Sequence, residues 1–133
     1  MNNFPKNHVK GVDRIVKNIV KLRKTLKFDA IACTGLSGAS IAFTVSYFTK
    51  IPIIYLRKHT TRTHGSPIEF IGTNCNASYI ILDDFVETGA TVKRILRKLK
   101  YLECKGIYSY ISGVSYEHHV DYKGIRYKVY ERA

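Results

Sequence analysis

One stretch of this chain limits its fold more than any other. Tyr79-Ile80-Ile81-Leu82 runs directly into Asp83 and Asp84, then Phe85-Val86-Glu87-Thr88-Gly89-Ala90-Thr91 follows, and residues 92–100 repeat apolar side chains at helical spacing. The apolar run predicts a buried strand, and the helical period predicts a helix after a tight turn. Adjacent carboxylates are costly to bury without partners, so the strand must deliver them to an opening. The helix start carries unpaired N–H groups and the positive end of the helix dipole, which together favour an anion. Thr88 and Thr91 add hydroxyl donors, and Gly89 lets the backbone approach a phosphate closely. Acids at the carboxyl end of a strand sit where open α/β sheets bind ligands. The alternative is an ordinary strand-to-helix turn capped by a threonine. A Walker loop is excluded, because no Gly-Lys-Ser/Thr follows the glycine.

The rest of the chain alternates in the same way. Val12, Ile15, Val16, Ile19, Val20, Leu22 and Leu26 recur at three- and four-residue steps and predict an amphipathic helix over residues 9–27. A short apolar strand over 28–34 follows, then the small-residue loop Gly35-Leu36-Ser37-Gly38-Ala39-Ser40, which opens a helix over 40–49. Residues 51–57 predict a strand with Pro52 at its start, where a missing donor is tolerated. Residues 58–67 read as a polar loop, 68–71 as a short strand, and 91–102 as the helix after the acid pair. A further strand is expected over 107–114, and the alternation Ile125-Arg126-Tyr127-Lys128-Val129-Tyr130 predicts an edge strand in the tail. Strands alternating with helices argue a mostly parallel sheet with helices on both sides. No repeat or linker divides the chain, so residues 1–133 are expected to form a single domain.

A chain of 133 residues can bury one core, and 45% apolar content fits a globular protein. No apolar run is long enough for a membrane span, and the first ten residues lack the apolar segment of a secretory signal. Cys33, Cys75 and Cys104 have no metal-ligand spacing, which suits reduced thiols and a cytoplasmic location. His118 and His119 complete no metal set. The net charge of +12 attracts polyanions, and basic residues crowd residues 6–27 and 93–100. They fall mostly between the apolar positions of the two helices, as a solvated face requires. Nucleic-acid binding is therefore possible but not favoured over a substrate carrying several phosphates.

The segment from Tyr79 to Thr91 resembles the 5-phosphoribosyl-1-pyrophosphate (PRPP) signature of type I phosphoribosyltransferases: a hydrophobic strand, two acids, three variable residues, then Thr-Gly-x-Thr. Two further segments resemble parts of that family. Thr34-Gly35-Leu36-Ser37-Gly38 matches in position the loop that holds pyrophosphate, although Leu36 and Ser37 stand where that loop often carries Arg or Lys. Residues 56–65, with Arg57, Lys58, Arg62 and His64, resemble the catalytic loop of orotate phosphoribosyltransferases, one residue longer and with Arg62 in place of a Lys. A cationic loop of this kind can close over pyrophosphate and neutralise developing charge. Glu87 occupies the position of the general base in the hypoxanthine-guanine branch, though it is equally an acid favoured by a helix start.

The resemblance implies an α/β fold with a small C-terminal hood and an enzyme of nucleotide synthesis or salvage. It would move 5-phosphoribose from PRPP to a nucleobase, orotate or a purine, and release pyrophosphate. It implies that Asp83 and Asp84 hold the ribose hydroxyls or the waters of Mg²⁺, and that Val86, Glu87, Thr88, Gly89, Ala90 and Thr91 cradle the 5′-phosphate. Gly35, Leu36, Ser37, Gly38, Arg57 and Lys58 would hold pyrophosphate, with Arg62 and His64 closing over it. The orotate branch implies a homodimer. The alternative is a catalytically silent PRPP- or nucleotide-binding regulator that contacts nucleic acid through its basic helices.

Overall fold

The computed structural model describes residues 6–57, 67–111 and 118–131, with side chains described from residue 11 onward. Its elements in chain order are α1 (Lys6–Leu26), β1 (Ala30–Thr34), α2 (Gly35–Thr49), β2 (Ile53–Leu56), β3 (Ile68–Ile71), β4 (Tyr79–Asp83), α3 (Ala90–Lys98), β5 (Cys104–Ser109), β6 (His119–Tyr122) and β7 (Ile125–Glu131). The strands form one sheet in the order β3-β2-β1-β4-β5-β7-β6. Neighbours from β2 to β7 are parallel, while β3 and β6 run antiparallel at the two edges.

The period of two in each central strand divides the core cleanly. Ile31, Cys33, Ile53, Ile80, Leu82 and Tyr108 face one side, where they meet Ile15 and Ile19 of α1 and Ala42 and Val45 of α2. Ala30, Ala32, Ile54, Leu56, Tyr79, Ile81 and Ile107 face the other, against Val92, Ile95, Leu96 and Leu99 from α3 and its final turn. Both faces are buried, which is why these strands read as continuous apolar runs. All three cysteines are free thiols. Burial pushes the Cys33 thiol up to about 12, so it behaves as an inert core residue. Among the described residues no helix is long and apolar enough to cross a membrane.

The order of the strands positions the site. β1 continues through α2 to β2 on one side, and β4 continues through α3 to β5 on the other. β1 and β4 are themselves neighbours, with Ala30 opposite Tyr79 and Ala32 opposite Ile81. Right-handed crossovers that depart in opposite directions put α2 and α3 on opposite faces. A crevice therefore opens between the carboxyl ends of β1 and β4.

Several boundaries differ from expectation. α2 begins at Gly35, so the small-residue stretch 35–39 is the first turn of the helix and not a loop before it. The helix after the acid pair ends at Lys98, and the next strand spans Cys104–Ser109. The tail strand lies inside the sheet between β5 and β6, and β6 is the edge. The tail expected as a hood thus extends the sheet, with Val120 packed in the core beside Gly89.

Gly38 fixes the seat of α2. A Cβ there would lie 3.3 Å from the Leu82 carbonyl oxygen and 3.7 Å from the Cys33 Cβ, so a side chain would press on the backbone at the end of β4. Gly38→Val is expected to destabilise the fold by about 1–3 kcal/mol through overpacking. Thermal unfolding followed by circular dichroism should show a midpoint lowered by several degrees. An unchanged midpoint would mean that α2 is not seated this closely.

Candidate functional site

A cleft of about 470 Å³ opens at this crevice, lined by residues 34–37 from the β1–α2 junction and by residues 83–92 and Arg94 from the β4–α3 segment. Two stretches 46 or more positions apart in sequence therefore share one site. The structure brings together Gly35, Leu36, Ser37, Asp83, Asp84, Val86, Glu87, Thr88, Gly89, Ala90 and Thr91. Gly38, expected beside them, is buried on the inner side of α2, where it packs against the end of β4.

Both helices enter the cleft with open N-termini. Gly35 and Gly89 each adopt a left-handed backbone, with φ of +73° and +82°, which turns the chain sharply from strand or loop into helix. Neither α2 nor α3 has a side-chain N-cap. At α2 the reason is visible, since the Thr34 hydroxyl donates to the Leu56 carbonyl at 2.8 Å instead of accepting from its own helix. Before α3, the Ala90 N–H reaches the Thr88 hydroxyl at 3.3 Å. Among the described residues nothing accepts from the backbone N–H groups of Glu87, Thr88, Gly89 and Thr91. The Val86 side chain is buried in the core and anchors this turn, while Glu87, Thr88 and Thr91 are exposed along it.

The acid pair sits between the two helix starts. Asp83 is the last residue of β4 and is buried, whereas Asp84 is half-buried. Each carboxylate accepts from the backbone N–H of the next residue, Asp83 Oδ1 from Asp84 at 2.9 Å and Asp84 Oδ1 from Phe85 at 2.8 Å. The backbone of the pair is fixed from β5. Tyr110 N–H donates to Asp83 O, and both Ile111 N–H and the buried Ser109 hydroxyl donate to Asp84 O.

Tyr110 then crosses to the other half of the cleft, where its hydroxyl donates to the Ser37 carbonyl at 3.2 Å. Its hydroxyl is pushed up by burial and then by the charges of Asp84 and Asp83, so it stays a neutral donor. Asp84 Oδ2 has no protein partner among the described residues. Two hard oxygen donors at an open rim suit Mg²⁺ held largely by a ligand's phosphates and waters. No set of three or more His, Cys, Asp or Glu side chains that could hold a metal occurs among the described residues.

The cationic residues expected around pyrophosphate fare differently. Arg57 follows β2 and is ion-paired with Glu69 of β3, which raises its already high pKa and turns its side chain away from the cleft lining. Lys58, Arg62 and His64 lie outside the described residues. Thr34, Phe85 and Arg94 line the cleft although none of them was expected to hold a ligand. Arg94 Nη1 donates to the Thr34 hydroxyl at 3.1 Å and Nη2 to the Arg57 carbonyl at 2.6 Å. Its place four residues after the helix start was a usable signal, because helical side chains lean toward the N-terminus. Its acceptors on β1 and beyond β2 were not legible without the fold.

No family model matches the chain. It is 31% identical over 78 residues, 59% of its length, to the transcriptional regulator GfcR of Picrophilus torridus, and spans 40% of that relative. Among solved structures it is similar to the UMP synthase of Leishmania donovani, at 29% identity and a TM-score of 0.59 over 72% of this chain and 21% of that one. It is also similar to the orotate phosphoribosyltransferase of Mycobacterium tuberculosis H37Rv in complex with PRPP, at 12% identity and a TM-score of 0.63 over 93% of this chain and 74% of that one.

Proposed function

We propose that this protein, whose fold is that of the type I phosphoribosyltransferases, binds PRPP between β1 and β4 and transfers its 5-phosphoribosyl group to a nucleobase nitrogen. The observation that carries this reading is the convergence of two uncapped helix N-termini on one cleft, with an acid pair between them. Each helix start suits one phosphate-bearing end of PRPP. The acids suit the hydroxylated ring in the middle.

In this reading residues 86–91 hold the 5′-phosphate, chiefly on the N–H groups of Glu87, Thr88, Gly89 and Thr91, and Asp83 and Asp84 accept from the ribose hydroxyls. The N–H groups at Gly35, Leu36 and Ser37 hold pyrophosphate. Arg57 joins them by exchanging Glu69 for the ligand, together with Lys58, Arg62 and His64 from the following segment. The bond from the anomeric carbon to the pyrophosphate oxygen breaks as the bond to the base nitrogen forms. The developing positive charge on the sugar is offset by the acid pair, and the leaving electrons go to pyrophosphate. The proton lost by the base nitrogen passes to Glu87, which is exposed on the rim. Asp83 and Asp84 would hold Mg²⁺ largely through its waters, and the ion would supply stabilisation of the leaving charge.

The name of the matched curated relative favours a second reading, a regulator that binds PRPP without turning it over and contacts nucleic acid. The exposed cations Lys93, Arg97, Lys98 and Lys100 on and just after α3 would supply phosphate contacts.

Calorimetry with PRPP and Mg²⁺, and pyrophosphate release across a panel of bases, separate the two. The double variant Asp83→Asn, Asp84→Asn should keep the wild-type circular dichroism spectrum while turnover, or PRPP affinity in a silent protein, falls by about 100-fold or more. Normal behaviour of that variant would refute the assigned site. Under the regulator reading, affinity for duplex DNA should fall steeply with salt, with a log–log slope of about −0.9 per phosphate contacted. A flat response would remove nucleic acid from consideration.

A further inference from the structure

The two halves of the cleft are joined more firmly at its base than at its mouth. β1 and β4 pair from Ala30 and Tyr79 as far as Ala32 and Ile81, where the ladder stops. Thr34 and Asp83 end the two strands beyond that point, and both line the cleft. Parting of the strands opens the crevice, but it leaves the outer part of the gap without a ladder to fix its width. On one side of the sheet Arg94 crosses from α3 to the Thr34 hydroxyl. On the other side the crossing is made by Tyr110.

The residues at and after the end of β5 clamp the acid pair. Tyr110 N–H donates to Asp83 O at 3.1 Å, and Ile111 N–H and the Ser109 hydroxyl each donate to Asp84 O at 2.9 Å. The Tyr110 ring then leaves this clamp and packs on the α1–α2 side of the core. Its hydroxyl donates to the Ser37 carbonyl, in the first turn of α2, at 3.2 Å. The Ser40 hydroxyl reaches the same carbonyl at 3.3 Å, but from within the helix, so it restrains nothing across the gap.

We infer that Tyr110 is a positioning residue that sets the span between the α2 start and the acid pair, favouring a ligand that occupies both halves over one confined to either. The inference rests on the PRPP reading of the cleft for the identity of that ligand. A molecule anchored at one subsite meets the second at an effective concentration that depends on the gap. A gap of fluctuating width must be ordered when a spanning ligand binds, and that ordering is subtracted from its affinity. A ligand held at one helix start orders nothing across the gap. With the Tyr110 bond in place, the ordering is already present in the free protein. One neutral hydrogen bond has a small net worth, so the effect is modest in size and is identified by which ligands feel it.

Tyr110→Phe keeps the ring in its packing and removes only the hydroxyl. Wild type and variant are titrated calorimetrically in Mg²⁺ with PRPP, which spans the cleft, with ribose 5-phosphate, which takes the β4–α3 half, and with inorganic pyrophosphate, which takes the α2 half. The variant should bind PRPP about 3- to 10-fold more weakly and each smaller ligand within about twofold of wild type. Equal weakening of all three would make Tyr110 a general support of the cleft and overturn the inference, as would no weakening of PRPP. Amide hydrogen exchange gives a second reading. Exchange over residues 38–42 should be faster in the free variant and return to the wild-type rate with PRPP bound. Unchanged exchange in the free variant would show that the hydroxyl does not restrain α2, and would refute the assignment whichever ligand the cleft takes. A wild type that binds none of the three overturns the functional reading, and with it the ligand named here. One that binds all three, with Tyr110→Phe unaffected, overturns only the inference.

Discussion

The parallel pairing of β1 with β4 is the constraint from which the rest of this molecule follows. Both strands continue into helices, and because one chain path turns toward β2 and the other toward β5, those helices must take opposite faces of the sheet. The gap left between their starts is a consequence of handedness and not of any side chain. What the side chains do is keep it open and charged in a particular way. Gly38 lets α2 sit on the end of β4, and Val86 pulls the turn before α3 into the opposite core. Tyr110 ties Asp83 to Ser37 across the gap, one partner through its N–H and the other through its hydroxyl. Removing any one of these would alter the distance between the two helix starts that face the cleft.

The chemistry of the cleft rests on donors that have been left unspent. Helix N-termini in compact proteins are usually satisfied by a Ser, Thr, Asp or Asn side chain. Here Thr34, in the capping position, turns its hydroxyl toward β2, and the capping position of α3 is a glycine. Forgoing a capping side chain typically costs about 1 kcal/mol, and only a few tenths where the capping residue is glycine, as in α3. The compensation is a pair of preorganised N–H clusters that need no reorganisation when an anion arrives. The carboxylates are treated in the opposite way, each held by the following backbone N–H, with the backbone of the pair fixed from the end of β5, so their positions are set before any ligand enters.

The sequence made the strand, the acid pair and the turn into α3 legible because all three are local. Apolar period, charge and glycine fall within 13 residues, and burial then only confirms what the order of types requires. The other half of the site was harder. Residues 35–39 are small, and small residues close loops as readily as they begin helices, so the helix was expected to start at Ser40 when it starts at Gly35. β6 escaped notice because it has four residues and only Val120 is buried. The tail strand alternates like an edge strand, yet it pairs on both sides, a fact decided by where β6 folds back. Arg57 stands at the predicted strand end, but its preference for Glu69 depends on the antiparallel register of β2 and β3, where Tyr55 lies opposite Glu69. Arg94 is the clearest case: one basic residue among five in its segment, set apart by acceptors at the end of β1 and just beyond β2.

The net charge of +12 acquires a different meaning once the cleft is seen to be acid-rich. A basic chain that binds a polyphosphate would be expected to gather its cations around the ligand, yet the described lining holds three carboxylates and one guanidinium. Most of the described excess lies on the outer faces of α1 and α3, where Lys17 is paired with Asp13 and Lys93, Arg97 and Lys98 are exposed. Charges there raise the potential around the whole molecule and speed the approach of any anion, but they cannot discriminate one phosphate compound from another. Discrimination is left to the few fixed groups inside the cleft. The surface field and the site chemistry are therefore separate properties of this chain, and a polyanion larger than PRPP would feel the first without entering the second.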